Sequence, residues 1–217
     1  MCGIFAIVSK DYISLELVKK ILIQLKIRGK HSTGLSWVEN DELKVNIQPV
    51  PADLFTIPKL KTKVLIGHTR YSTSSLEYNQ PIMNEHLSAV HNGVITQQDS
   101  KHWDNQEYVF KTKNDSEYIL KSFLLNKHPL KDYPNASIST CVIDNKDKKL
   151  KFFRNDKRPL WYYKSEECII ATSTKDIFER LQYQDTKKCI SCNEYEISFE
   201  KLNIQEKNIT ESIRDLQ

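Results

Sequence analysis

The chain is predicted to be an α+β protein in which sheets carry helices. Three observations predict it: many short apolar runs of strand length, only two sustained helical periods, and polar clusters of hairpin-turn length between the runs. A single domain over residues 1–217 fits the length. The last dozen residues are polar and are expected to be mobile.

Gly3 to Val8 is a fully apolar strand candidate that begins almost at the first residue. Ser14 is placed to cap a helix running to about Arg28, because Leu15, Val18, Leu22 and Leu25 fall on one face of a 3.6-residue period. Gly29 is expected to stop it. Leu35–Val38 and Leu43–Ile47 read as strands around an Asn40-Asp41 turn, and Pro49, Pro51 and Pro58 mark an irregular connection. Val64–Gly67 and Leu87–Val90 are short strands, each running into a polar cluster that holds a histidine.

Asp115–Leu125 reads as a second helix, with Asn114 as its cap and Glu117 completing a capping box. The pattern then returns to strands at Ser137–Ile143, Leu150–Phe153, Leu160–Tyr163 and Ile169–Ala171. A short helix over Lys175–Leu181 and a strand around Glu194–Phe199 follow.

Composition narrows the class. Apolar residues at 39% and charged residues at 28% are a globular balance rather than a disordered one. No apolar run approaches the roughly 18 residues of a membrane span, and the start lacks a secretory pattern, so a cytoplasmic protein with no membrane partner is expected. A net charge of +4 gives no reason to expect nucleic acid. The locally basic stretch Lys146–Arg158 reads as a solvated hairpin tip feeding two buried Phe.

Cysteine usage points the same way. Five cysteines without a secretion signal argue against a disulfide framework. Cys189 and Cys192 form one C-x-x-C pair with no second close pair, which is too little for structural zinc, so no metal is expected. Absent Walker and dinucleotide fingerprints leave no cofactor to expect and set aside kinase and dehydrogenase readings. Glycine is scarce, and Gly3, Gly29, Gly34, Gly67 and Gly93 all fall in the blocks that hold the most reactive side chains.

Each of those blocks admits two readings. Cys2 becomes N-terminal if Met1 is removed, joining a thiol and a free α-amine as nucleophile and base on one residue; it is otherwise an incidental cysteine at a frayed end. Arg70 offers a planar fork for a carboxylate with Thr73 as a neutral donor nearby, or it is a salt-bridge arginine. The Asn92 side-chain amide beside the Gly93 N–H can supply two donors to an oxyanion, or the pair is a hairpin turn. Asp115 caps a helix or receives an ammonium group. His68 and His91 read as positioning residues rather than as a catalytic base.

Taken in order, Met-Cys2-Gly-Ile, Arg28-Gly-Lys-His-Ser-Thr-Gly34, Gly67-His-Thr-Arg-Tyr-Ser-Thr73, His91-Asn-Gly93 and Asn114-Asp-Ser-Glu117 resemble the class II glutamine amidotransferase domain. These are the N-terminal-nucleophile glutaminases of glucosamine-6-phosphate synthase and amidophosphoribosyltransferase. Phe153-Arg-Asn-Asp-Lys-Arg-Pro-Leu-Trp161 and Ile170-Ala-Thr-Ser173 look like the family's second half, so the resemblance spans residues 2 to 182. It implies a four-layer αββα sandwich and a thiol at Cys2 that attacks the side-chain amide of glutamine. It also implies that Asn92 and Gly93 hold the oxyanion, that Arg70 and Thr73 hold the substrate carboxylate, and that Asp115 holds its α-amine. Tyr71 stands where a tryptophan is common and keeps an aromatic wall. Ser74-Ser75 and His31 also depart from the family's pattern.

The expected function is therefore a glutaminase that passes ammonia to a separate synthase subunit. A stand-alone hydrolase of another γ-glutamyl amide and a catalytically silent regulatory or scaffold subunit are the alternatives.

Overall fold

A computed structural model of the chain describes residues 2–71, 79–103 and 106–210. Thirteen strands and four helices are named in chain order: β1 (Gly3–Ser9), α1 (Leu15–Leu25), β2 (Ser32–Glu39), β3 (Glu42–Gln48), β4 (Val64–Arg70), β5 (Ile82–Met83), β6 (Leu87–His91), α2 (Glu117–Leu124) and α3 (Pro129–Asp132). They continue with β7 (Ser139–Asp144), β8 (Lys149–Arg154), β9 (Trp161–Lys164), β10 (Cys168–Thr172), α4 (Lys175–Arg180), β11 (Lys187–Lys188), β12 (Asn193–Ser198) and β13 (Ile204–Asn208). One sheet runs β11-β9-β10-β1-β4-β2-β3 and the other β13-β12-β8-β7-β6-β5. Every strand pairing is antiparallel.

The apolar β1 is explained by where its two faces go. Ile4, Ala6 and Val8 enter the core between the sheets, facing Val90, Cys141 and Phe152. Phe5 and Ile7 point the other way, under Val18, Ile21, Leu22 and Leu25 of α1 and Ile177 and Phe178 of α4. A strand covered on both faces has no solvent side to signal with polar residues. On the far side, Val142 and Phe153 pack under Ile119 and Leu120 of α2 and Leu130 of α3. Three cores between four layers make the αββα sandwich that the resemblance implies.

Several local expectations change. Ser14 does cap α1, its hydroxyl accepting from the Leu17 N–H at 3.2 Å, but Leu15 is exposed and Ile21 takes its place on the buried face. A 3-10 turn, Lys26–Arg28, follows the helix, and Gly29 ends it in extended rather than left-handed backbone. The strands β4 and β6 run on through Arg70 and His91, so the histidine clusters are the strands' own last residues.

The second helix starts at Glu117 rather than Asp115. Asn114 Oδ1 accepts from the Ser116 N–H at 3.0 Å, while Glu117 turns to the preceding loop instead of closing a capping box. Four donors from Tyr108, Lys111 and Thr112 outcompete the single N–H a capping box would offer. Finally, β13 pairs with β12 across Asn193↔Asn208 and Ile197↔Ile204, so residues 206–208 of the expected mobile tail form an edge strand. Residues 211–217 lie outside the described ones.

Candidate active site

Topology collects the reactive blocks at one end of the sandwich. β1 begins where β4 ends, Gly3 pairing with Thr69, and β2 begins there too, Ser32 pairing with Arg70. In the facing sheet, β6 ends and β7 begins at the His91↔Thr140 pair. Because β1 and β4 pack on β6 and β7, both sheets deliver their polar ends to the same place. Arg28 lies within electrostatic reach of Cys2, Asp176 and Arg158, and His91 within reach of Asp115 and Arg158.

Cys2 is half-buried with a free thiol. Its carbonyl accepts from the Arg28 Nε at 3.3 Å, and burial lowers the pKa of that guanidinium. Next to it, the Ile4 N–H donates to Ser173 Oγ at 3.3 Å and the Ser173 N–H to Ile4 O at 3.0 Å. The first strand is thus fixed on both sides within two residues of the thiol, as positioning of a reactive atom requires.

Asn92 follows β6 and is 2% exposed, with its backbone N–H held by Ser139 O at 2.8 Å. Its side-chain Nδ2 is buried and has no hydrogen-bond partner. A buried amide donor left unpaired costs about 1–3 kcal/mol, so its retention needs a reason. The Gly93 N–H also meets no acceptor among the described residues, although its neighbours Asn92 and Val94 both donate to β7-side carbonyls. A Cβ on Gly93 would overlap Ser137 O and lie 2.6 Å from His91 Nε2, so the close approach admits glycine alone. Two adjacent unmet N–H donors are the arrangement an oxyanion needs.

Arg70 is buried, one Nη1 donating to Asn79 Oδ1 at 3.0 Å, and its carbonyl accepts from the His31 N–H at 3.0 Å. Tyr71 is 51% exposed with its ring 5.1 Å from that of His31, at the mouth of the site. Thr73 lies outside the described residues, as do Ser74 and Ser75. Asp115 is half-buried; its Oδ2 accepts from Ile95 N–H at 2.6 Å and Thr96 N–H at 3.1 Å. Both bonds fall on one oxygen, leaving Oδ1 without a protein donor among the described residues. Asp115 borders a cleft of about 710 Å³ that Val94, Thr96, Lys101, Trp103 and Lys113 also line.

The two histidines differ. His91 is tied down at both ring nitrogens, Nδ1 to Ser116 Oγ at 2.8 Å and Nε2 to Ser137 O at 3.1 Å. His68 is buried with Nε2 unpaired; burial first, then Arg70 and His91, press its pKa from 6.5 to about 3. Burial lowers both pKa values, so both rings are uncharged at neutral pH. Gln80 and Asn79 carry no signal in the sequence, and Ser116 and Glu117 stand there only within the Asn114–Glu117 block; all four make polar contacts at this end of the sandwich. Gln80 and Ser116 meet each other and His91 across 11 to 36 residues, whereas the partners of Asn79 and Glu117 lie within nine. The C-x-x-C pair lies elsewhere, beside Arg154, and burial raises the Cys189 thiol well above its ordinary pKa.

The sequence profile described as the glutamine amidotransferase domain matches residues 55–217. The chain belongs to that family. It is 33% identical over 144 residues to the amidophosphoribosyltransferase of Pyrococcus horikoshii, covering 60% of this chain and 31% of that protein. To the glutamine–fructose-6-phosphate aminotransferase of Helicobacter pylori it is 28% identical over 192 residues, covering 81% and 31%. The chain therefore spans less than a third of these relatives' length. The structure of the B. subtilis glutamine phosphoribosylpyrophosphate amidotransferase superposes with a TM-score of 0.80 at 19% identity, covering 96% of this chain and 49% of that one. Likeness at that identity shows the fold, the four-layer sandwich of the class II, N-terminal-nucleophile amidotransferases. Among the described residues, no helix of this amidotransferase domain is long and apolar enough to cross a membrane.

Proposed function

We propose that the chain is a glutamine amidohydrolase that works through a Cys2 thioester. The observation that carries this reading is the buried Asn92 Nδ2 beside the Gly93 N–H, both without an acceptor among the described residues. With Met1 removed, the α-amine of Cys2 takes the thiol proton and Sγ attacks the side-chain amide carbon of glutamine. The resulting oxyanion accepts from Asn92 Nδ2 and the Gly93 N–H. The tetrahedral adduct collapses, the α-ammonium returns its proton to the leaving nitrogen, and ammonia departs. Water then adds to the thioester carbonyl and glutamate leaves, restoring the thiol.

The substrate is a zwitterion, and Arg70 with Thr73 supplies the anion clamp while Asp115 Oδ1 supplies the cation clamp. Tyr71 forms a side wall. We further propose that the ammonia is consumed by a synthase on a separate subunit. The support is that the relatives matched over this stretch are named as an amidophosphoribosyltransferase and a glutamine–fructose-6-phosphate aminotransferase, whose names join glutamine to transfer of its nitrogen.

Glutamate release from glutamine by the processed protein, compared with Cys2→Ala, tests the reading. Turnover lost by more than 1000-fold in the variant is expected. Equal rates would reject a Cys2 thioester, and no rise in turnover or ammonia transfer with any candidate synthase would reject the subunit pairing.

A further inference from the structure

Gln80 belongs to no strand yet occupies a strand partner's place. Extending the Ile82↔Ala89 register by two residues puts Gln80 opposite His91, but β5 begins only at Ile82 and the intervening Pro81 carries no N–H. The Gln80 side chain takes over the pairing. Its Oε1 accepts from the His91 N–H at 2.6 Å and its Nε2 donates to His91 O at 3.2 Å. The second hydrogen of Nε2 goes to Ser116 Oγ at 3.3 Å. The amide can point only this way, because the reverse would set an NH₂ against the His91 N–H.

The hydrogens then close without a gap. Ser137 O can only accept, so His91 Nε2 carries the proton; buried and neutral, the ring offers Nδ1 as an acceptor to the Ser116 O–H. Gln80 is itself seated on the other sheet, its carbonyl and Pro81 lying where a Cβ on Gly34 of β2 would be. One buried residue therefore meets the first sheet through its backbone, and the residue before Asn92 and the residue after Asp115 through its side chain.

We propose that Gln80 is a positioning residue for amide hydrolysis. Through His91 it sets the Asn92 and Gly93 donors, and through Ser116 it fixes the distance from those donors to Asp115. This role rests on the glutaminase reading above. Misplacing preorganised donors acts on the transition state more than on substrate capture, so the effect belongs in kcat.

The test is steady-state glutamine hydrolysis by wild type, Gln80→Glu and Ser116→Ala across pH 4.5–8.5, each compared at the same pH, with thermal melting alongside. Wild-type turnover that Cys2→Ala abolishes validates the reaction itself; a wild type without turnover sinks the glutaminase reading, and this role with it. Given that turnover, Gln80→Glu is expected to lose about 10- to 100-fold in kcat at pH 8 with KM within about 3-fold. A carboxylate has no donor for His91 O or Ser116 Oγ, whereas a protonated carboxyl restores one. The ratio of variant to wild-type kcat should accordingly climb toward one as the introduced carboxyl protonates, a recovery that a merely structural lesion would not show. Ser116→Ala removes a single oxygen and should fold if Gln80→Glu does not; its kcat is expected to fall about 10-fold. A ratio flat across pH, or parent-like kcat in Ser116→Ala, overturns the proposal.

Discussion

Gly3 and Thr69 face each other across the β1–β4 ladder with no space for a side chain at residue 3. A Cβ there would lie 2.6 Å from Thr69 Oγ1 and 2.6 Å from Leu25 Cδ2. Thr69 cannot swing aside cheaply, because its hydroxyl donates to Leu25 O at 3.1 Å inside the core. Gly3→Ala must therefore push β1 away from β4 at the residue next to the thiol. Overpacking of this kind costs about 1–3 kcal/mol. We expect a lower melting temperature and a kcat reduced at least about 10-fold, since a displacement near 1 Å suffices for that. A variant as active as the parent would show that Cys2 is not held to this geometry.

Asn92→Ala separates activity from stability. It deletes a buried donor that no group among the described residues satisfies, so folding loses no hydrogen bond at Nδ2 and sheds a desolvation penalty. Loss of one oxyanion donor is worth about 100- to 1000-fold in kcat. The expected pair of results is a collapse in kcat with a melting temperature unchanged or raised. A stability loss with kcat preserved would make Asn92 a structural residue instead.

Arg70→Lys should act on substrate capture. A planar fork matches a carboxylate with two parallel bonds, and an ammonium cannot reproduce that. KM for glutamine is expected to rise about 10-fold or more while kcat for bound substrate changes less. Asn79, which holds Nη1 of Arg70, makes Asn79→Ala a milder version of the same defect. If either variant shifts kcat alone, the carboxylate clamp is placed wrongly.

Most of the strands could be read in the sequence because their apolar runs alternate between two cores. Ile4, Ala6 and Val8 face one core and Phe5 and Ile7 the other, and such a run has few alternatives. The elements that the sequence does not mark lack an alternating apolar run. β5 has two residues, and β13, with Gln205, Glu206 and Lys207 exposed at an edge, reads as a polar tail. Of the candidate site, Cys2, Asn92 and Asp115 are legible as reactive types near strand or helix ends. Gln80 is not, since a glutamine before a proline has no local signature and its partners lie 11 and 36 residues away.

Acid should unfold the protein in part through His68. Its folded pKa is about 3 against an ordinary 6.5, so between those values the unfolded chain binds a proton that the native one refuses. Stability therefore falls as pH drops from about 6.5 toward 3, by up to about 1.4 kcal/mol per pH unit for this one group. His68→Gln, neutral throughout, should flatten that limb in urea melts taken at pH 4–7 while leaving the alkaline side unchanged. An acid limb equally steep in the variant would place the titration on other groups.

Glu117 ties the wall of the Asp115 cleft to α2. Its Oε1 accepts from Tyr108 Oη at 2.9 Å and Lys111 N–H at 2.7 Å, and its Oε2 from Thr112 N–H at 2.8 Å and Thr112 Oγ1 at 2.7 Å. The carboxylate is 2% exposed and all four partners are donors, so Glu117→Gln must aim an NH₂ at one of them. A buried donor pair of that kind costs about 1–3 kcal/mol. The loop carries Phe110, tilted against Trp103 at 4.8 Å and edge-on to Tyr118 at 4.7 Å, and leads directly into Asp115. Loosening it should cut the loop free first. Proteolytic nicking within residues 106–113 is expected to quicken, and KM for glutamine to rise several-fold, before the sandwich itself melts much earlier. Nicking at the wild-type rate with unchanged KM would show that the cleft wall stands without this carboxylate.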